Sequence, residues 1–360
     1  MSSVGHFQKT FFKSQALRLC AIVLKKGAAS LQNFKASLIV AAVITIAGCG
    51  GGGGNSPTEK VSATSFQAVA SEGELVSYSV DTTALTYSYE ILESAYGKTG
   101  AKGSGSLTRN SDGTYTPSGF NGKVVVLESG LLLGSIYEDL NNDGTKEVIP
   151  VIGMSNPVTS LAEAADTYNF ISRQCDTSCT NYYGTIKVNS DGNWTSCVGA
   201  NLAATNYTCQ SSTSGSVNSI SSGRATLTFN GSVGGSLLIF KDPATNQKAV
   251  LLDLNGKTGL GKGAVFASSQ SLPENADGTW TYLHTNGILG AVSVNGTTFT
   301  DTGRYGNGVA YGPFTGSFTK NLPWNGFITT GEGAIIMPAG SGLFAGYFGP
   351  SSSMSIGLKK

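Results

Sequence analysis

Charge is scarce in this sequence. Asp, Glu, Lys and Arg together make up 12% of 360 residues, about half the usual share of roughly 25%. No basic stripe of the kind a nucleic-acid binder needs is present, so nucleic acid is excluded as a partner. Histidine is nearly missing as well, with two in the chain, His6 and His284. Imidazole chemistry in the main body therefore rests on His284 alone, and no G-x-S-x-G elbow supplies a nucleophile for it. After Ser56 no stretch sustains a 3.6-residue apolar period over several turns, which excludes a helical bundle. Residues 1–48 lack Asp and Glu altogether.

What those first residues do contain is Lys9, Lys13, Arg18, Lys25, Lys26 and Lys35, then the apolar run Ala36–Ala47. A basic flank followed by about 7–15 apolar residues ending in small ones has the make-up of a secretory signal. The run is too short for a spanning helix, which takes about 20 apolar residues. It closes on Ile46-Ala47-Gly48-Cys49, which resembles the lipobox of bacterial lipoproteins. That resemblance implies cleavage before Cys49, lipidation of its thiol and anchoring in a membrane. Gly50 follows, where inner-membrane retention would have Asp, so the resemblance also implies the outer membrane. Two or more acyl chains hold a protein durably, at about 0.8 kcal/mol per buried CH₂. Gly50–Gly54 and the residues to 59 read as a flexible tether.

Taking the leader's six basic residues from the 23 leaves 17 against 22 acidic ones, a net charge of −5 on the exported part. Glycine is abundant, at 49 residues. Beyond Cys20 and Cys49 there are four cysteines, and an even number in an exported protein suggests two disulfides. Short loops favour Cys175 with Cys179 and Cys197 with Cys209. The spacing lacks the close pairs of a zinc site.

Turn signals dominate the main body. Asn-Gly begins at Asn121, Asn230, Asn255, Asn286, Asn295, Asn307 and Asn325, and Asp-Gly at Asp112, Asp143, Asp191 and Asp277. These pairs tolerate positive φ and mark hairpins between β-rich segments. Such segments lie at 85–91, 123–127, 146–152, 225–229, 249–252 and 279–283. A short helix fits Ser160–Ala165, with Ser160 capping its start. The expectation is an all-β, antiparallel, barrel-like or sandwich architecture. Residues 60–158 would form an N-terminal module and 159–360 a larger C-terminal one. The motif Asn110–Thr116 returns at Asn189–Thr195 and Asn275–Thr281, each time with an aromatic after the turn, Tyr115, Trp194 or Trp280. This suggests an internal duplication, with an insertion near 196–222.

Asp139, Asn141, Asp143 and Glu147 place oxygen ligands at alternate positions ahead of and beyond Gly144, a spacing that suits Ca²⁺. The loop resembles those of EF-hand-like and FG-GAP-type repeats, although Pro150 stands where an EF-hand has its bidentate Glu. The alternative is a polar hairpin turn capped by Asp139. Glu72, Glu74, Glu90 and Glu93 read as a solvated acidic face. Tyr115, Trp194 and Trp280 read as core plugs rather than a stacking platform, because large aromatics dominate sheet packing. The Gly-rich end, 342–357, suits a closing strand where backbones pack closely.

The last part of the chain resembles Gly-rich lipoproteins of Gram-negative bacteria, a resemblance that brings no activity with it. The expected function is that of an anchored surface or periplasmic interaction module with a protein or glycan partner and no catalysis. A lipocalin-like barrel holding a small apolar ligand is the alternative. An anchored hydrolase ranks behind both. A cavity would favour the second reading.

Overall fold

A computed structural model describes residues 63–360, apart from 128, 141, 176–177, 219, 222, 243–244, 257–260, 273–275, 286–287, 305–308, 341, 348, 350–352 and 360. The leader, Cys49 and the tether lie outside the described residues, as does Asn141. What is described is nearly all β.

The first eight strands are β1 (Thr64–Ala70), β2 (Glu74–Asp81), β3 (Thr86–Ser94), β4 (Lys102–Arg109), β5 (Tyr115–Pro117), β6 (Val125–Val126), β7 (Leu131–Glu138) and β8 (Glu147–Met154). They form one antiparallel meander in which β8 returns to β1, with Val69 opposite Ile152. Two 2.8 Å backbone bonds between Tyr115 and Val124 close the remaining seam. A one-turn helix follows, α1 (Leu161–Ala164), where the sequence places it; Ser160 Oγ accepts the Glu163 N–H at 3.2 Å.

The next eight strands are β9 (Asp166–Cys175), β10 (Cys179–Val188), β11 (Asn193–Val198), β12 (Ser211–Val217), β13 (Arg224–Phe229), β14 (Ser232–Lys241), β15 (Lys248–Asn255) and β16 (Lys262–Ser269). They close into a barrel through β16 and β9. The last eight are β17 (Gly278–His284), β18 (Leu289–Asn295), β19 (Thr298–Arg304), β20 (Ala310–Lys320), β21 (Ile328–Thr330), β22 (Ile335–Ala339), β23 (Leu343–Tyr347) and β24 (Met354–Lys359). These close through β24 and β17. Closure removes the exposed strand edges that an open sheet would leave.

Repetition is present, but as three eight-stranded units, and the span 159–360 holds two of them. The recurring turn motif does not mark their equivalent places. It joins β4 to β5 in the first barrel, β10 to β11 in the second, and leads into β17 at the start of the third. Residues 196–222, where an insertion was expected, contain β12 and the hairpin loop before it. Each copy puts a glycine at positive φ, Gly113 at 78°, Gly192 at 84° and Gly278 at 126°, although the third opens a strand rather than joining a hairpin.

Glycine serves a second purpose inside the barrels. Tyr89 stands opposite Gly103, Phe170 opposite Gly184, Tyr282 opposite Gly290 and Phe344 opposite Gly357. A Cβ on those glycines would fall 2.2–2.9 Å from the neighbouring ring. The ring occupies the space its neighbour lacks, and the cross-strand pair packs without a void.

Strands at the centre are buried on both faces. On β15, Val250, Leu252 and Leu254 face the second barrel's interior cluster, whereas Ala249 and Leu251 join the largest cluster. That largest cluster draws Val69, Leu133 and Ile152 from the first barrel, Leu238 and Phe266 from the second, and Met337, Leu343 and Ile356 from the third. Each such aliphatic side chain contributes roughly 1.5–3 kcal/mol on full burial, so the main apolar core lies between the barrels as much as within them.

Candidate functional site: the interior of the third barrel

Alternation along β17 sends Trp280, Tyr282 and His284 into the third barrel. With Val292, Phe299, Ile336, Phe344 and Tyr347 they line a cavity of about 110 Å³. Its wall is mostly apolar, and several polar groups on it are hydrogen-bonded. Tyr282 donates to Asp301 Oδ1 at 2.7 Å. His284 Nδ1 lies 2.8 Å from Ser355 Oγ. Thr330, buried, accepts the Ala334 N–H at 3.1 Å, and Trp280 Nε1 donates to the Ala276 carbonyl at 2.9 Å.

The site is dry enough to move a pKa. Burial pushes His284 down to about 4, so its ring is neutral near pH 7. Tyr282 packs edge-on against that ring, with centroids 4.9 Å apart. Ser355 and His284 present a hydroxyl beside a neutral base, yet among the described residues no carboxylate orients the imidazole's second nitrogen. The nearby carboxylate, Asp301, is engaged by Tyr282. Such a set can hold a ligand's polar atom at one point of an apolar chamber.

His284 is the last residue of β17. Its partner was not foreseeable, because Ser355 comes 71 residues later and meets it only when β24 closes on β17. Tyr115, Trp194 and Trp280 are buried, at 8%, 4% and 4% exposure. Trp324 is used between barrels: its Nε1 donates to Asn169 Oδ1 at 2.8 Å, and its ring tilts onto Tyr183 at 5.5 Å.

Cys175 is bonded to Cys179 and Cys197 to Cys209. Asp139 and Asp143 lie in the turn between β7 and β8, and Glu147 begins β8 opposite Glu138. The Asp139 carboxylate accepts the Asp143 and Gly144 N–H groups at 3.1 and 3.0 Å, and Asp143 accepts that of Thr145 at 2.7 Å. Among the described residues, the one group of three His, Cys, Asp or Glu donors within 4.8 Å of one another is Glu72, Cys175 and Cys179. The disulfide occupies both of those sulfurs.

The acidic face expected at 72–93 is largely not solvated. Glu90 is, and pairs with Lys102 at 3.1 Å. Glu72 instead meets Arg173 at 3.4 Å, Glu93 meets Arg224 at 3.2 Å, and Glu74 is fully buried against the second barrel. Position on the inter-barrel face, which local sequence does not carry, decides the difference.

No protein family matches this sequence, and no curated protein does. Among solved structures it is similar to the DNA polymerase III subunit beta from Pseudomonas aeruginosa, at 8% identity over 84% of this chain and 94% of that one, with a TM-score of 0.15. It is similar also to the DNA polymerase sliding clamp from Bacillus subtilis, at 7% identity over 85% and 93%, again with a TM-score of 0.15. Neither likeness is close enough to bear on function.

Proposed function

We propose that this chain is a lipid-anchored protein of the outer membrane, tethered through Cys49, that carries a small apolar ligand in its third barrel. The observation that supports the binding role is the cavity of about 110 Å³ behind Trp280, mostly apolar, with the Tyr282–Asp301 and His284–Ser355 pairs in its wall. Apolar cavities of roughly this size take up benzene or xenon in other proteins. The polar pairs then favour a ligand with a single hydrogen-bonding atom.

Benzene, titrated into the mature chain carrying Cys49→Ser, tests the chamber. The Trp280 indole N–H resonance should move saturably, and Val292→Phe, which fills the space, should abolish the movement. A Trp280 resonance that stays still, or one that moves equally in the filled variant, removes the proposal.

The interaction reading has its own support in the first barrel. Ser77, Ser79, Ser88, Glu90, Lys102 and Ser104 line an open groove of about 470 Å³ across β2, β3 and β4. Its hydroxyls and charges suit a glycan or a polar protein surface.

A further inference from the structure

The second barrel is a cup. The helix α1 precedes β9 and stops one end, where the Tyr168 hydroxyl donates to the Ala164 carbonyl and Ala164 is fully buried. At the opposite end turn the β9–β10 and β11–β12 hairpins, and both disulfides lie there. A cavity of about 220 Å³ occupies this disulfide-bearing end, twice the volume of the chamber in the third barrel. Its wall includes Ser172 and Gln174 from β9, Trp194 and Ser196 from β11, and Thr213 from β12.

Two of those groups are unsatisfied. Ser172 is fully buried and Trp194 is 4% exposed, and neither Ser172 Oγ nor Trp194 Nε1 has a hydrogen-bond partner. A buried polar atom without a partner carries a desolvation penalty, and native structures leave few of them. An indole N–H donates and cannot accept. Whatever satisfies Trp194 must therefore bring an acceptor. Trp194 is also held in place for the purpose: it stands opposite Gly215, where a Cβ would fall 2.9 Å from the indole.

The lining contains no Asp, Glu, Lys, Arg or His. An ion entering it would lose its hydration without a countercharge. We infer that the second barrel holds a small uncharged ligand with an acceptor oxygen on an apolar body, the oxygen taking the Trp194 N–H. This site is separate from that of the third barrel, and Trp194 and Trp280 report on the two independently.

The test uses cyclohexanone as probe on the mature Cys49→Ser chain, with the three indole N–H resonances followed by nuclear magnetic resonance. The Trp194 resonance, assigned by its loss in Trp194→Phe, should move saturably while that of Trp324 stays still. Methylenecyclohexane has the same shape without the acceptor and should bind about 3- to 10-fold more weakly. Cyclohexanecarboxylate should bind worst. The inference is overturned if the Trp194 resonance does not respond to the ketone, if the hydrocarbon binds as tightly, or if the carboxylate binds more tightly.

Discussion

Gly73, at the turn between β1 and β2, touches Gly263 of β16 so closely that a Cβ on Gly73 would fall 2.2 Å from the Gly263 carbonyl oxygen. The first barrel meets the second backbone to backbone at this point. Gly73 also holds φ at 89°, a conformation that side chains resist. Gly73→Ala should therefore cost on the order of 2 kcal/mol or more, through strain and forced separation of the barrels. Gly97→Ala, at φ 78° with open space around it, should cost about 1 kcal/mol. Urea denaturation of the two variants separates the causes, and equal losses would show that the contact with Gly263 contributes nothing.

The same docking surface predicts a pH dependence. Burial pushes Glu74 up to about 8 and Asp253 up to about 9, and Asp253 is raised further by Glu74 and Glu93. Glu74 Oε1 accepts from Ser94 at 3.0 Å, whereas Glu74 Oε2 and both Asp253 oxygens have no partner. Arg173 pairs with Glu72 and Arg224 with Glu93, so these cations are already engaged. Both folded-state pKa values lie above the unfolded carboxylate range of about 4, so the folded state binds more protons. Stability is full below that range and falls as pH rises toward 8–9. The melting temperature should decline from about pH 5 to pH 9, and Asp253→Asn should flatten the decline and raise the melt at neutral pH. A melt that is level across that window, or one that rises, contradicts the assignment.

Reduction of the disulfides should weaken the second barrel without unfolding it. Cys197 and Cys209 enclose the hairpin loop between β11 and β12 across 12 positions of chain. Removing that bond as Cys197→Ser with Cys209→Ser should cost about 2–3 kcal/mol. The Cys175–Cys179 bond spans 4 positions within one antiparallel pair and should cost less. Melts with and without reductant, read beside peptide mass mapping, check both the order and the pairing.

The loop between β7 and β8 carries the residues expected to hold calcium. Asp139 accepts two backbone N–H groups of its own turn, so Asp139→Ala should cost about 1 kcal/mol, as loss of a capping side chain does. That cost should be the same with and without millimolar Ca²⁺. A calcium-dependent rise in melting temperature, erased by Asp143→Ala, would instead assign the loop to the metal at the weak affinity of extracellular sites.

Anchoring is tested at Cys49. Cys49→Ser should leave the protein unlipidated and in the soluble or unprocessed fraction, whereas the wild type takes up palmitate and partitions with membranes. Unchanged labelling in the variant would exclude the lipobox reading.

Neighbours along the chain settle the local features. Asn230 and Gly231 take φ of 48° and 75° between β13 and β14, as an Asn-Gly hairpin turn demands. Ser160 caps α1, and the cysteines pair across short loops because proximity in sequence raises their encounter. Strands at 225–229 and 279–283 were legible from composition for the same reason. Tertiary pairing then groups the strands into three eight-stranded units, since β8 must find β1 and β24 must find β17 across intervening strands. It also decided which face each strand buries: Leu251 and Leu252 are alike in sequence, yet one packs between barrels and the other within one. Asp253, one residue on, is an acid that composition would place in water. It is 1% exposed beside Glu74, because the β14–β16 surface on which it stands is covered by another barrel. No local pattern encodes that cover, since the burial of a strand's outer face depends on which distant surface packs against it.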